Sequence, residues 1–169
     1  MAAYNLISTT TVGSGGAASI EFGSIPQIYT DLVLVCSLQH NGALGAADRS
    51  YFVYANNSTT SYTYRRLTGY NGSAASDNGS SAIVGAVGGT TNSSVFNNAQ
   101  IYIPNYASSN NKVFSCDNVS EANSSTNYEL DMSAILWSNT AAITSLKLVI
   151  NSQNIVQHSS ASLYGIKSS

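Results

Sequence analysis

The sequence predicts an all-β fold: a single-domain β-sandwich, with a jelly roll as the favoured arrangement. Short alternating or β-branched segments recur along the chain, separated by Gly, Asn and Ser clusters. Residues that build exposed helical faces are scarce, because Asp, Glu, Lys and Arg make up only 8% of the 169 residues. Apolar residues still reach 43%, the level of a globular chain that buries about two-thirds of its unfolded surface. Many short strands without helices close as two packed sheets or a barrel.

Two segments are expected: an N-terminal strand with a flexible arm over residues 1–17, and the sandwich over 18–169. Met1 to Ile7 reads as a short strand, and Ser8 to Ala17, rich in Gly, Ser and Thr, as a turn or arm. Within Ala18-Ser19-Ile20-Glu21-Phe22, Ile20 and Phe22 share one face and Glu21 takes the other. From Asp31 to Leu38, Leu32, Leu34, Cys36 and Leu38 share a face opposite Val33 and Val35, which predicts a central strand covered on both sides. Tyr51 to Tyr54 and Tyr62 to Leu67 bracket Ala55-Asn56-Asn57-Ser58-Thr59 and predict a hairpin. Leu67 to Asn98 is a Gly/Ser/Asn tract, expected to be largely irregular and to meet a neighbouring molecule. Further strands are expected at Ile83-Val84, Gln100 to Ile103, Lys112 to Cys116, Ser133 to Trp137, Ser145 to Asn151 and Ser162 to Ile166. Asn123 to Leu136 fails as a helix, since Ser124, Ser125, Thr126 and Asn127 have weak helix propensity.

The shortage of charge narrows function. An ordinary domain is about a quarter charged, whereas Ser, Thr and Asn supply roughly a third of this chain. Neutral hydroxyl and amide surfaces suit contact with other proteins or sugars. The net charge is -2, and apart from Arg65-Arg66 the six basic residues are scattered, so no patch can neutralise a nucleic-acid backbone. No apolar run approaches the ~20 residues of a membrane-spanning helix. Met1 to Ile7 also lacks the basic start and apolar core of a signal peptide.

The chemistry-bearing residues are sparse, and neither an enzyme nor a cofactor or metal site is expected. His40 and His158 follow strand-like segments and read as half-exposed loop residues, with no Gly-x-Ser-x-Gly elbow to pair with them. Cys36 and Cys116 sit in apolar or alternating runs without CxxC spacing and read as buried thiols. Asp48, Asp77 and Asp117 lack the spacing of a calcium loop. Glu129 and Asp131 share one side of a strand about 7 Å apart, within the range of a glycosidase acid pair, but that spacing is common by chance and a solvated edge is the better explanation. Tyr contributes 11 residues, of which Tyr51, Tyr54, Tyr62, Tyr64 and Tyr70 cluster. Tyr62, Tyr64 and Arg66 share a strand face, and with Arg65 they form the candidate interface, because Tyr and Arg are enriched at buried interface anchors.

Several stretches carry a resemblance in combination. They are Ile20-Glu21-Phe22-Gly23-Ser24-Ile25-Pro26, Tyr29-Thr30-Asp31-Leu32-Val33-Leu34, Ile101-Tyr102-Ile103-Pro104-Asn105-Tyr106 and Lys112-Val113-Phe114-Ser115. Trp137-Ser138-Asn139-Thr140-Ala141-Ala142-Ile143-Thr144-Ser145-Leu146 and Ser162-Leu163-Tyr164-Gly165-Ile166-Lys167 complete the set. In this order the chain resembles small structural proteins of tailed bacteriophages, notably phages of cyanobacteria and other aquatic hosts. The resemblance is weakest between about residues 69 and 98.

That resemblance implies a sandwich that assembles on the virion, often as a homotrimer. The leading expectation is a capsid decoration (cement) protein bound to the major capsid protein, with the arm over residues 1–17 lying on the shell. A short chain starting at Met1 and forming one domain favours this over a fibre with a separate shaft. The alternative is a tail fibre or receptor-binding tip that recognises host glycans. Neither nucleic acid nor membrane is expected as a partner.

Overall fold

The structure is a computed structural model, and it describes residues 3–42, 50–87, 95–121 and 128–167. Among the described residues twelve strands carry the fold: β1 (Ala3–Thr11), β2 (Ile20–Phe22), β3 (Asp31–Leu38), β4 (Ser50–Ala55), β5 (Tyr62–Tyr70) and β6 (Ser73–Gly79). They continue as β7 (Ile83–Ala86), β8 (Asn97–Ile103), β9 (Lys112–Glu121), β10 (Tyr128–Trp137), β11 (Leu146–Ile150) and β12 (Ser160–Lys167). Among the described residues there is no helix.

All pairings are antiparallel and form two sheets. The larger runs β1-β12-β3-β8-β9-β10-β5-β6 and the smaller β2-β11-β4-β7. Along the chain β1, β2, β3 and β4 alternate between the sheets, as do β7 and β8, then β11 and β12. The hairpins β5–β6 and β9–β10 interrupt this alternation and widen the larger sheet. The expected β-sandwich is what forms.

Period-2 alternation sets which side chains enter the core. Leu32, Leu34, Cys36 and Leu38 of β3 meet Ile20 and Phe22 of β2, Val53 of β4, and Leu146 and Leu148 of β11 in one buried cluster. Ile101, Phe114, Ile135, Trp137 and Leu163 extend it from the larger sheet. Trp137 closes β10 as a buried anchor, and β8 ends at Ile103 because Pro104 has no N–H to donate to a ladder.

Four expectations change. Residues 3–11 form one edge strand on β12, so the irregular stretch starts after Thr11 rather than at Ser8. Its remainder is tied down: Val12 N–H donates to Ser159 O, and Ala17 and Ile155 exchange backbone hydrogen bonds at 2.8 and 2.7 Å. β4 and β5 are not a hairpin; β4 pairs with β11 and β7, and β5 with β10 and β6. The chain crosses between sheets because Asn56, in the left-handed region, accepts from Thr144 and Ser145 N–H and pins this loop to the far connection.

The third change lies in the Leu67–Asn98 tract. It contains β6, β7 and the ends of β5 and β8, with Asn71-Gly72 as a two-residue turn at φ 48° and 77°. Those angles match the twist of a hairpin and need Asn and Gly to relieve the Cβ clash. The fourth is on β3, where Val33 is buried but Val35 is 38% exposed, so the outer side is only partly covered.

Candidate functional site

Where β7 crosses above β9 and β10, the layer between the sheets turns polar. β7 is the edge of the smaller sheet, and among the described residues its outer backbone groups have no strand to pair with. Buried backbone groups left without partners are costly, so side chains of the larger sheet must serve them. Asp131 Oδ2 accepts from Ala86 N–H (3.0 Å), Asn118 Nδ2 donates to Ala86 O (2.9 Å), and Ser133 Oγ donates to Val84 O (2.9 Å). Asn97 Nδ2 donates to Asn118 Oδ1 at 2.7 Å, and the Tyr51 hydroxyl donates to the same oxygen at 3.3 Å. Burial pushes that Tyr51 phenol well above its ordinary range. Gly85 lets β7 come this close, since a Cβ there would lie 2.6 Å from Asp131 Oδ2.

Arg66 joins the network from β5. It forks onto Asp77 of β6 through Nε (2.9 Å) and Nη2 (3.0 Å), while Nη1 reaches Asp131 at 3.4 Å and Glu129 at 3.5 Å. Burial alone would lower its pKa, but the bonds to Asp77 and the charges of Asp131, Asp77 and Glu129 raise it. The Arg66 fork holds the Asp77 carboxyl below the usual carboxylate range. Asp131 Oδ1 also accepts from Thr68 Oγ1 at 2.8 Å. Both Asp131 oxygens thus hold two donors each, Thr68 and Arg66 on one, Ala86 and Asn118 on the other.

That saturation decides what this cluster can do. A general acid or base must exchange a proton with substrate, and every lone-pair direction of Asp131 is already engaged by the fold. Glu129 and Asp131 do share a strand side, as their spacing suggests. The solvated edge is replaced at Asp131 by a carboxylate with 5% exposure beneath β7.

The candidate interface residues are not brought together on one surface. Tyr62 is buried, stacks on Trp137 (6.0 Å between ring centroids) and accepts from Ala55 N–H at 2.8 Å. It is a core residue, because residues 62, 64 and 66 alternate onto the inner face of β5. Tyr64 is half-buried against the core and donates to Asp77 at 3.1 Å; Arg66 is in the ion cluster. Only Arg65 faces outward, with Nη1 on the Tyr64 carbonyl.

The other singled-out residues are placed as follows. His40 is buried, not half-exposed, and its Nδ1 accepts from Gly42 N–H; His158 is exposed with φ 71°. Cys36 and Cys116 are buried free thiols, and burial pushes Cys36 up to about 12. Asp117 is exposed on β9, and Asp48 lies outside the described residues. Among the described residues no cluster of His, Cys, Asp or Glu could hold a metal ion, and no helix is long and apolar enough to cross a membrane.

Sequence reasoning missed the opposite side of the same strands. Leu67, Val119, Leu130 and Met132 point outward, with exposures of 60, 46, 55 and 61%. They are neighbours by register: Met132 pairs with Leu67 and Asp117, and Leu130 with Val119 and Gly69. Leu67 and Met132 line both of two shallow depressions, of about 480 and 430 Å³. A signal was present, for Leu130 and Met132 alternate with Glu129 and Asp131, as Leu67 does with Arg66 and Thr68. Comparison with protein families and with curated proteins finds no match to this chain.

Proposed function

We propose that this protein is a structural part of a bacteriophage virion, a capsid decoration protein that binds and stabilises the shell. One observation carries the non-catalytic half of this reading: the acid cluster is consumed by the fold, while Leu67, Val119, Leu130 and Met132 leave an apolar patch uncovered on the other side of the same strands. Such a surface suits permanent packing among protein neighbours. The phage half rests on the ordered resemblance of the Ile101–Tyr106, Trp137–Leu146 and Ser162–Lys167 stretches. The strand order also supports a jelly roll. Without the two inserted hairpins the sheets reduce to β1-β12-β3-β8 and β2-β11-β4-β7, two interlocked Greek keys.

Shell attachment is assigned to β1. It is a nine-residue sheet edge whose Tyr4 and Leu6 are 63 and 59% exposed, and it replaces the free arm as the element presented to the shell. The deciding experiment is density and copy number in purified particles. Hundreds of copies on the shell support decoration; a handful on the tail favour the glycan-binding tip. Absence from the particle ends the virion reading. Tyr4→Ser with Leu6→Ser should release a folded protein from shells, and retention of that variant would remove β1 from the contact.

A further inference from the structure

We infer that the outer face of β9, β10 and β5 packs against the same face of a second copy of this chain. The pairing is independent of the virion reading and rests on three observations.

The first is an inversion of polarity. On β5, β9 and β10 the polar Arg66, Asn118 and Asp131 point into the sandwich, while Leu67, Val119 and Met132 point into solvent. A monomer gains nothing from this outward set, since apolar burial is what stabilises such side chains. Covering the face removes the anomaly.

The second is size. The face of β9, β10 and β5 continues onto β8 on one side and β6 on the other, and β10 has 10 residues, so the contact area is counted over all five strands. At strand spacings near 4.8 Å and rises near 3.4 Å the face measures roughly 20 by 30 Å. That footprint, about 600 Å² before side-chain relief is counted, approaches the ~800 Å² per partner of a standard interface.

The third is charge, and it selects a second copy over another partner. Arg65 on β5 and Asp117 on β9 are exposed on this face, and neither has an ion-pair partner among the described residues. Their strands flank β10 on opposite sides, and Asp117 and Leu67 both pair with Met132. A two-fold axis along β10 exchanges β9 with β5. It sets Asp117 of one copy over Leu67 of the other, one same-face step (about 7 Å) from Arg65. Beside Met132 each copy offers one charge of each sign, Arg65 and Asp117, while Glu121 lies at the far end of β9, so the centre of the face is complementary to itself. Leu130 and Met132 then lie at the axis.

The test is the mass of the intact protein by light scattering and sedimentation across concentration, beside its thermal unfolding. The expected result is twice 17.7 kDa. Met132→Lys should give a monomer whose unfolding midpoint matches the monomeric wild type. Arg65→Asp should weaken association at least tenfold, and adding Asp117→Arg should restore it. Met132→Cys should cross-link two chains on mild oxidation, since the native thiols are buried. A monomer at all concentrations, a trimer as the resemblance implies, or a dimer indifferent to Met132→Lys would each overturn the pairing. So would association that appears only with added shell protein or glycan. A dimer absent from every phage particle would sink the virion reading alone.

Discussion

Strands β3 and β10 both run inside the eight-stranded sheet, each paired along both edges, yet they turn opposite chemistry toward the core. β3 sends in Leu32, Leu34, Cys36 and Leu38. Over its first half β10 sends in Glu129, Asp131 and Ser133 and leaves Leu130 and Met132 outside; only at Ile135 and Trp137 does its apolar set turn inward. The difference comes from what lies above. The inward set of β3 joins a cluster with Val53 of β4 and Leu146 and Leu148 of β11, strands whose backbone groups are paired along both edges. β10 faces the edge strand β7, whose backbone groups need donors and acceptors from below. A strand's buried face thus follows the unmet demand across from it as well as its own hydrophobicity.

The comparison breaks most decisively at Asp131. Asp131→Ala strands the Ala86 N–H, Asn118, Thr68 and part of Arg66, and should cost about 3–5 kcal/mol in urea unfolding. On β3, Leu34→Ala should cost about 2–5 kcal/mol for the opposite reason, a cavity in an apolar layer. Equal losses from such unlike residues would support the argument; a small loss at Asp131 would mean that water serves β7 as well. Tyr62→Phe keeps the ring on Trp137 but orphans the Ala55 N–H, and about 1–3 kcal/mol is expected, with no change in association.

Outward-facing positions should behave differently. Leu130→Thr and Met132→Thr should each change monomer stability by no more than about 0.5 kcal/mol, measured where the protein is dissociated. The smallest effect is in acid. Arg66 depresses the Asp77 pKa, so that carboxylate contributes stability present above its unfolded value. The contribution is lost as pH falls through the folded value. Urea midpoints between pH 6 and 2.5 should therefore fall less in Asp77→Asn than in the parent. The gap is modest, because the Asp77 side chain is 43% exposed.

Much of the fold was legible because alternation is local. Ile20 and Phe22, the inward set of β3, and the segments around Ile101, Phe114, Trp137, Leu148 and Leu163 could be read directly. The β4–β5 crossover could not, since strand order depends on distant acceptors such as the Asn56 side chain. β6 was missed through its composition, although Asn71-Gly72 is a strong turn signal. The site was half-legible: alternation showed that Glu129 and Asp131 share a side, and that Tyr62, Tyr64 and Arg66 do. It could not say which side was inside, because only packing against β7 decides that.

The edge strand β1 has a consequence in time. Among the described residues it pairs only with β12, Ala3 opposite Lys167, and β2 pairs only with β11. At roughly 5–20 residues per second, a ribosome takes on the order of 10–30 s to reach β12 after β1 has emerged. Through that interval Tyr4 and Leu6 travel on a strand with no template, while the β9–β10 hairpin can zip as soon as both of its strands exist. Synthesis and docking run in opposite orders at this edge, where β1 must wait for β12.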